Sequence, residues 1–359
     1  MDRLHKLLCR IDKSMKVLEI GPSFSPIAPK SAGWNAWSVD HTDQEGLQEK
    51  YEADPNVDIS QIGPVDFVWQ GGDLDTVIPV EHHGSFDACI ASHVIEHMPD
   101  PVGFYRSLGR LLRPSGVVAL AVPDKRFCFD YFRQPTMTSE FILAHSLNRR
   151  RHSKKTAFDH TAYTVSGDGA AAWSQHPVGD LRFYSDAVTA FRVMDATEES
   201  EAASYVDYHG WCYTPSSFKL VVLELNLLGL IDWHIDMDYP AEGCEFIVVL
   251  KKGQLHFSSN EAVQESRKAL LKGIIADIAE QHRYASSPEI VEISTKSPFA
   301  DGVMERLATL EQQQLALSEG LARQEAKLGK IWKTSKIANR LLQPFLAVAR
   351  ASRGLRTRA

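Results

Sequence analysis

The chain has 359 residues, of which 44% are hydrophobic and 24% are charged, and its formal net charge is −7. These values are typical of a globular protein with a sizeable core, and they exclude a disordered chain or a small disulfide-dense scaffold. The length fits two domains, or one α/β domain of about 200–250 residues with an extension.

Cysteine usage and hydropathy indicate a reducing compartment. The five cysteines are scattered and form no C-x-x-C pair, so we expect neither a disulfide framework nor a structural zinc site. The N-terminal residues are polar, and no run approaches the roughly 18 apolar residues of a membrane span. We therefore expect a cytoplasmic protein.

Charge is unevenly distributed along the chain. Residues 323–359 contain ten Lys and Arg and a single acid, Glu325, so the rest of the chain is strongly acidic. An acidic body makes nucleic acid an unsuitable partner.

The first 122 residues alternate between strand and helix patterns. Short apolar runs at residues 16–20, 36–40, 65–70, 86–91 and 117–122 predict five buried strands. A polar helix is predicted at 43–53. A second helix is predicted to begin at Asp100-Pro101, with Asp as N-cap and Pro at the first position, and to end before Gly116.

The alternation stops at Asp124 and resumes near residue 210. The intervening segment is polar, rich in His and Arg, and too long for a structureless loop, so it predicts a lid or helical insertion over about 124–210. Thr214-Pro215 then starts an apolar helix that ends at Gly229. Strands at 231–237 and 245–250 complete a predicted seven-stranded, mostly parallel sheet with an antiparallel C-terminal hairpin, a Rossmann-like α/β fold.

Three C-terminal segments follow the predicted domain of residues 1–252. Residues 253–300 are predicted as a helical linker. Residues 301–328 predict a short coiled-coil-like helix, which permits a homodimer, because apolar residues follow a heptad register at Val303, Leu307, Leu310, Leu317 and Leu321. Residues 329–359 form a basic amphipathic tail, which fits an anionic membrane surface, a partner helix or a poorly ordered end.

The carboxyl ends of the predicted strands carry the most informative residues. Gly21 follows the first strand, Asp40 ends the second, and Asp73 follows the third. In a doubly wound sheet these ends lie side by side, and an acid there accepts hydrogen bonds from the ribose hydroxyls of a nucleoside cofactor. The pattern therefore predicts a nucleoside site.

Five segments in order resemble the motifs of the class I S-adenosylmethionine-dependent methyltransferases, in particular the large type 11 group. They are VLEIGPS at 17–23, SVD at 38–40, GGD at 71–73, FDACIASHVIEHMP at 86–99 and LLRPSG at 111–116. The resemblance covers about residues 16–252. PDKRF at 123–127 and WCYTP at 211–215 also resemble a bacterial subgroup that often accompanies surface-polysaccharide glycosyltransferases.

The resemblance implies S-adenosyl-L-methionine as cofactor and assigns roles to the motif residues. Asp40 would accept from the ribose and Asp73 from the adenine amino group, with Leu74 nearby. Glu19 would accept from the cofactor's amino group, directly or through water, and Ser23 would bind its carboxylate. Gly21 would allow close approach of the backbone, and Ser92 and His93 would begin the loop over the methionine portion. The alternative is a purely structural role, in which the acids are ordinary strand-end residues or turn caps.

The spacing of His93 and His97 is also typical of a metal-binding pair, since histidines four positions apart share a helix face. No third ligand is apparent in the sequence, and Glu96 can simply pair with His97. We therefore predict no metal site.

Residues on the acceptor side are harder to assign. A hydroxyl acceptor benefits from a base with a near-neutral pKa, such as histidine. The candidates are Asp124, Arg126, His209 and the pair Asp159-His160, in which the acid would orient the imidazole. The basic residues Lys125, Arg126, Arg133 and Arg149-Arg150-Arg151 fit either an anionic acceptor group or a solvated helix end.

The preferred functional hypothesis is methyl transfer to a hydroxyl of a sugar or lipid-linked glycan. The protein would be cytoplasmic, with the tail bringing it to the inner membrane face or to a glycosyltransferase. The alternatives are a non-catalytic scaffold of a glycan-assembly complex and a small-molecule methyltransferase.

Overall fold

A computed structural model describes residues 1–176 and 178–284, together with the single positions Gln312 and Arg323. The predicted coiled coil at 301–328 lies outside the described residues except for those two positions. The basic tail at 329–359 lies outside them entirely.

Nine strands are present in the described chain, and seven of them form one sheet. They are β1 (Val17–Ile20), β2 (Ala36–Asp40), β3 (Phe67–Val68), β4 (Phe86–Ser92), β5 (Leu112–Pro123), β6 (Val165–Gly167), β7 (Leu181–Phe183), β8 (Trp233–Glu242) and β9 (Glu245–Lys252). The large sheet has the order β3-β2-β1-β4-β5-β9-β8, and β6 pairs with β7 separately. Strands β1 to β5 are parallel, whereas β9 and β8 are antiparallel. The predicted Rossmann-like fold class is confirmed.

Eight helices are described. They are α1 (Arg3–Leu7), α2 (Gln44–Tyr51), α3 (Pro101–Leu111), α4 (Thr138–Ser146), α5 (Lys154–Tyr163), α6 (Ala187–Ala196), α7 (Pro215–Leu227) and α8 (Asn260–Arg283). The N-caps expected from the sequence are present at α3 and α7. The Asp100 side chain accepts from Gly103 N–H, and the Thr214 side chain accepts from Ser217 N–H. None of the described helices combines the length and apolar character that a membrane crossing requires.

The sheet is buried on both faces, because its central strands present apolar side chains in alternation. On β5, Val118, Leu120 and Val122 join one core cluster with residues of α3 and α7. Ala119 and Ala121 face the opposite cluster, which includes residues of α1. Such two-sided burial is what a parallel sheet with helices on both faces requires. It leaves the carboxyl ends of the strands as the place for a ligand.

The insertion predicted at 124–210 is folded rather than a loop. It contains α4, α5, α6 and the β6–β7 pair, around a small core that includes Phe127, Tyr131 and Trp173. Helix α8, in the segment expected as a linker, packs along α7. There Arg267 Nη2 lies 2.7 Å from Glu224, and Ser216 N–H donates to Asp277 at 3.1 Å.

Candidate active site

A cavity of about 770 Å³ lies at the carboxyl ends of β1 to β4. Two segments of the insertion, residues 149–151 and 203–207, line its other side. Its wall includes aromatic and sulfur-containing side chains, namely Tyr51, Trp69, Met98 and Phe104. A concave, partly apolar pocket of this size is typical of a small-molecule or cofactor site.

The turn after β1 brings backbone close to the cavity. Gly21 has φ +65°, and a Cβ added to it would lie 3.2 Å from Val94 Cγ2. Its N–H donates to Val39 O at 2.8 Å, which ties the turn to β2. Ser23 lines the cavity two residues later with φ 51°, a left-handed conformation that is rare outside glycine.

Asp40 ends β2 at the cavity wall, and its side chain is almost fully buried. Its Oδ2 accepts from Ser23 N–H at 2.9 Å, and its Oδ1 accepts from His41 N–H at 2.8 Å. His41 Nδ1 lies 2.6 Å from the same Oδ1. The carboxylate is thus held in a fixed orientation at the strand end, as the sequence pattern predicts for its position.

Three other residues predicted to contact the cofactor lie outside the cavity lining. The Glu19 carboxylate accepts from Ile27 N–H at 2.6 Å and Ala28 N–H at 3.0 Å, so it braces the following loop. Burial raises the pKa of Glu19, while these two hydrogen bonds act in the opposite direction. Ser92 accepts from Arg3 at 2.7 Å through its hydroxyl, and Leu74 is fully buried in the core.

Asp73 lines the cavity but is paired with the insertion. Arg150 Nη1 lies 2.8 Å from Asp73 Oδ1, and Arg151 Nε donates to Ala203 O at 2.6 Å. Both arginines line the cavity, together with Arg149. These arginines therefore lie at the cavity, and binding of an anionic acceptor group by them stays a prediction.

A second group of polar residues lies where β4 leads into the insertion. Glu96 is fully buried, and the ligand atoms of Glu96, His97 and His209 all lie within 4.8 Å of one another. His97 lines the cavity, and its ring centroid is 4.6 Å from that of His209. The backbone explains the meeting, because Gly210 N–H donates to Glu96 O at 2.7 Å.

Carboxylates orient both of these histidines. His209 Nδ1 lies 2.5 Å from Asp130 Oδ2, and His97 Nδ1 lies 2.9 Å from Asp207 Oδ1. Burial alone raises the pKa of Asp130, but the charges of His209 and Arg133 outweigh it and hold the pKa well below its ordinary range. The neighbouring His97 ring likewise lowers the pKa of Asp207.

The expected Asp159–His160 pair is replaced by other contacts. Asp159 accepts from Lys155 Nζ at 2.6 Å, and His160 Nδ1 accepts from His209 N–H at 3.2 Å. The reason is geometric, since consecutive residues of a helix point in different directions. Burial lowers the pKa of His160 to about 4, so its ring is neutral near pH 7. Its tautomer then carries the proton on Nε2.

The remaining basic and acidic candidates are structural in their contacts. Asp124 and Arg126 are buried and paired at 2.6 Å, and Arg126 also reaches Glu280 of α8 at 2.7 Å. Lys125 Nζ donates to Tyr131 O at 2.8 Å. Arg133 Nη1 donates to His209 O at 2.8 Å and therefore supports the histidine backbone from outside the cavity lining.

His93 lines the cavity with φ 54° and is anchored by the closing hairpin. Its Nε2 lies 2.8 Å from Glu245 Oε2, and Arg3 holds the other oxygen of that carboxylate at 2.6 Å. The short helix α1, which the sequence reading missed, thus supports the loop after β4. Arg3 lies in a polar N-terminus without a strong helical pattern, so only the salt bridge reveals its role.

Sequence reasoning also missed Asp130 and Asp207 as partners of the histidines. Each lies in the long polar insertion, where many acids are present and none has a distinguishing neighbour. No local pattern separates them from solvated acids, and only the folded insertion brings them to His209 and His97.

Residues 1–165 match the family model described as a methyltransferase domain. This stretch contains β1 to β5 and most of the cavity lining from the sheet, so the family match and the cavity fall on the same part of the chain. A search of curated protein sequences finds no significant match.

Several solved structures are similar to the chain at low identity. A structure of SAM-dependent methyltransferases from Methanosarcina mazei is 13% identical, covers 69% of this chain and 97% of its own, and has a TM-score of 0.35. An S-adenosylmethionine-dependent methyltransferase from Mesorhizobium loti is 13% identical, with coverages of 68% and 95% and a TM-score of 0.34. The CcbJ methyltransferase from Streptomyces caelestis is 11% identical, with coverages of 70% and 97% and a TM-score of 0.36. At these TM-scores the likenesses carry no argument about this chain.

Proposed function

We propose that this chain, whose residues 1–165 match a methyltransferase domain, uses S-adenosyl-L-methionine to methylate a hydroxyl group of a sugar or lipid-linked glycan. The observation that carries the proposal is Asp40, a buried carboxylate fixed at the end of β2 on the wall of the cavity.

The residues present fit the nucleoside part of this cofactor. An ionised carboxylate has about four lone-pair sites, and the two hydrogen bonds from Ser23 N–H and His41 N–H leave Asp40 with further acceptor capacity. The His41 ring, whose side chain is 46% exposed, also contacts this carboxylate, and a bound diol would displace it from Oδ1. A ribose diol then takes the remaining acceptor positions, while Gly21 keeps the adjacent backbone clear of side-chain atoms.

When bound, S-adenosylmethionine would supply a methyl group to an acceptor oxygen: an O–C bond would form, the C–S bond would break with its electron pair on sulfur to leave S-adenosylhomocysteine, and the hydroxyl proton would be released. The protein contributes mainly by holding the two reactants in line. Insertion residues 149–151 and 203–207 cover the cavity opposite the sheet, which restricts how an acceptor enters. His97 lines the cavity, and its ring centroid lies 4.6 Å from that of His209, so these two residues with Glu96 are the polar group that we assign to the acceptor side; a catalytic role of His209 stays a prediction.

The lining supports a hydroxylated acceptor over a flat apolar one. The insertion side presents Ser204, Tyr205 and Asp207 together with three arginines, a set of donors and acceptors suited to hydroxyl groups. The resemblance of PDKRF and WCYTP to the polysaccharide-associated subgroup supports the same acceptor class. Contact of the basic tail with an anionic membrane or a glycosyltransferase stays a prediction.

The first test measures binding of S-adenosylmethionine and S-adenosylhomocysteine by titration calorimetry. We expect the wild-type chain to bind both, and Asp40→Asn to weaken binding by about 10- to 100-fold, because a charged acceptor of hydrogen bonds is worth about 1.5–3 kcal/mol. The matched control is Asp66→Asn, since Asp66 pairs with Lys30 at 2.6 Å and lies outside the cavity lining. Absence of binding by the wild type, or equal affinity in Asp40→Asn, contradicts the proposal.

The second test concerns the acceptor. Incubation with S-adenosylmethionine and a glycan extract is expected to give S-adenosylhomocysteine and a methyl ether on the glycan, read by mass spectrometry. Cofactor binding without turnover on glycans, together with turnover on small molecules, would transfer the proposal to the small-molecule class.

A further inference from the structure

We propose that Glu96, His97 and His209 form a binding site for a divalent transition-metal ion. The ligand atoms offered by these three residues lie within 4.8 Å of one another. His97 lines the cavity, so the ion would lie at its edge. This set differs from the His93–His97 pair that the sequence spacing suggested, and two of its members come from one loop while the third comes from the end of the insertion.

Glu96 is the strongest single observation. Its side chain is fully buried, and neither carboxylate oxygen has a hydrogen-bond partner in the described part of the chain. Its Oε1 lies 3.7 Å from His97 Nε2 and 3.7 Å from His93 Nδ1, too far for hydrogen bonds. A buried carboxylate without a hydrogen bond is costly, so such groups are paired or coordinate metals.

Both histidines lie next to a carboxylate, and His209 is oriented as metal ligands usually are. Each has Nδ1 beside a carboxylate, Asp207 for His97 and Asp130 for His209. A carboxylate hydrogen-bonded to one ring nitrogen fixes the tautomer and leaves the lone pair on the other nitrogen, which is Nε2 in His209. Asp130 is held in turn by Arg133 Nη1 at 2.8 Å. The supporting hydrogen bond of a metal ligand is therefore present at His209, whereas His97 Nδ1 lies 2.9 Å from Asp207 without forming a hydrogen bond.

The donor set indicates which ions fit. Two imidazole nitrogens and one carboxylate suit Zn²⁺ and Fe²⁺ and leave open coordination positions. Metal–ligand distances of about 2.0–2.2 Å place neighbouring ligand atoms closer together than 4.8 Å, so the three side chains would move slightly inward on binding. Metal ligands bind in their deprotonated forms, and one carboxylate with two imidazoles favours a dication over a monovalent ion.

The role of the ion rests on the proposed function. An ion with an open position at the cavity edge lowers the pKa of a bound hydroxyl and holds its oxygen in place. Glu96, His97 and His209 would then act on the acceptor through the ion rather than as a free general base.

The test uses the full chain after treatment with a chelator and dialysis. ZnCl₂ is titrated by calorimetry, MnCl₂ is a second probe, and CoCl₂ reports coordination through its visible absorption. We expect one Zn²⁺ per chain, with Glu96→Gln and His209→Gln each weakening affinity at least 100-fold. The matched control is His145→Gln, which removes a histidine–carboxylate pair with Asp100 at 2.8 Å that is not part of the proposed ligand set. This variant is expected to bind Zn²⁺ with the affinity of the wild type.

A second variant, Asp207→Asn, serves if a ligand variant fails to fold. The Asp207 side chain is 65% exposed, so this substitution is expected to leave the fold intact. It is expected to weaken Zn²⁺ binding by about 10-fold or more. The inference is overturned if the wild type binds no stoichiometric metal, or if Zn²⁺ affinity and the Co²⁺ spectrum are the same in Glu96→Gln as in the wild type. Titration of S-adenosylhomocysteine into the metal-free chain separates the two proposals, since loss of cofactor binding leaves the metal result unaffected.

Discussion

At the scale of single residues, Ser23 combines a strained backbone with two useful contacts. Its φ of 51° belongs to the left-handed region, which costs a non-glycine residue of order 1 kcal/mol or more. Its N–H donates to Asp40 at 2.9 Å, and its hydroxyl donates to Tyr51 at 2.8 Å. The strained residue is therefore held in place by its neighbours Asp40 and Tyr51.

We predict opposite effects of glycine at Ser23 and at Ser25. Ser23→Ala and Ser23→Gly both lose the hydroxyl bond to Tyr51, but only glycine relieves the backbone strain. The free energy of unfolding of Ser23→Gly is therefore expected to exceed that of Ser23→Ala by about 1 kcal/mol. At the exposed Ser25, which is not among the residues with positive φ, glycine is expected to be less stable than alanine. Urea unfolding of the four variants checks this prediction, and a lower midpoint for Ser23→Gly than for Ser23→Ala contradicts it.

At the scale of elements, the insertion is joined to the sheet by a small number of polar links over the cavity. Arg150 reaches Asp73 after β3, and Tyr205 donates to His97 O at 3.1 Å after β4. Links of this kind, partly exposed, are individually weak. We therefore expect segments 149–151 and 203–207 to separate from the strand ends when a ligand enters and to close over it afterwards.

We predict that S-adenosylhomocysteine slows amide exchange in both insertion segments at once, because both line the same cavity. Arg150→Ala is expected to reduce the added protection at 149–151 while leaving exchange in β5 unchanged. Hydrogen-exchange mass spectrometry with and without ligand measures this effect. Lys154→Ala is a suitable control, since Lys154 Nζ contacts Asp195 O at 3.1 Å away from the cavity. Saturating ligand with no change in either segment would contradict a closing insertion.

At the scale of the whole molecule, one ion-pair cluster joins the loop after β3 to α3. Asp75 Oδ1 accepts from Ser107 Oγ at 2.7 Å and from Arg110 Nη2 at 2.6 Å. Burial by itself raises the pKa of Asp75, but the hydrogen bonds from Arg110 and Ser107 outweigh it and lower the pKa below its ordinary value. The folded chain therefore binds this proton less tightly than the unfolded chain does.

The sign of the pH dependence follows from that difference. A lowered pKa stabilises the fold above the unfolded-state value of about 4, and this stability is lost as the pH falls through the lower folded-state value. We predict that Asp75→Asn lowers the free energy of unfolding by about 2 kcal/mol at pH 7, a value between those typical of exposed and of buried ion pairs. The difference from the wild type is expected to shrink below about pH 4. Denaturant unfolding from pH 3 to pH 7 tests this. Asp180→Asn, in an exposed pair with Arg182, is expected to change stability by less than about 0.5 kcal/mol at all pH values.

The sequence by itself determined the strand–helix order and the position of Asp40 at the carboxyl end of β2. These properties are local, since hydrophobic periodicity, helix caps and the Gly21 turn act over a few residues of chain. For the same reason it misjudged β5, which begins at Leu112 rather than residue 117, because pairing with β4 extends the strand beyond its apolar run.

Only the tertiary structure decided which polar side chains meet. Glu19 accepts a hydrogen bond from Ile27 N–H, Asp159 accepts one from Lys155, and His209 lies close to Glu96. The insertion separates His209 from Glu96 by more than a hundred residues, so no spacing rule connects them. Their contact depends on how the insertion folds back onto the sheet, which is a property of long-range packing and not of any local pattern.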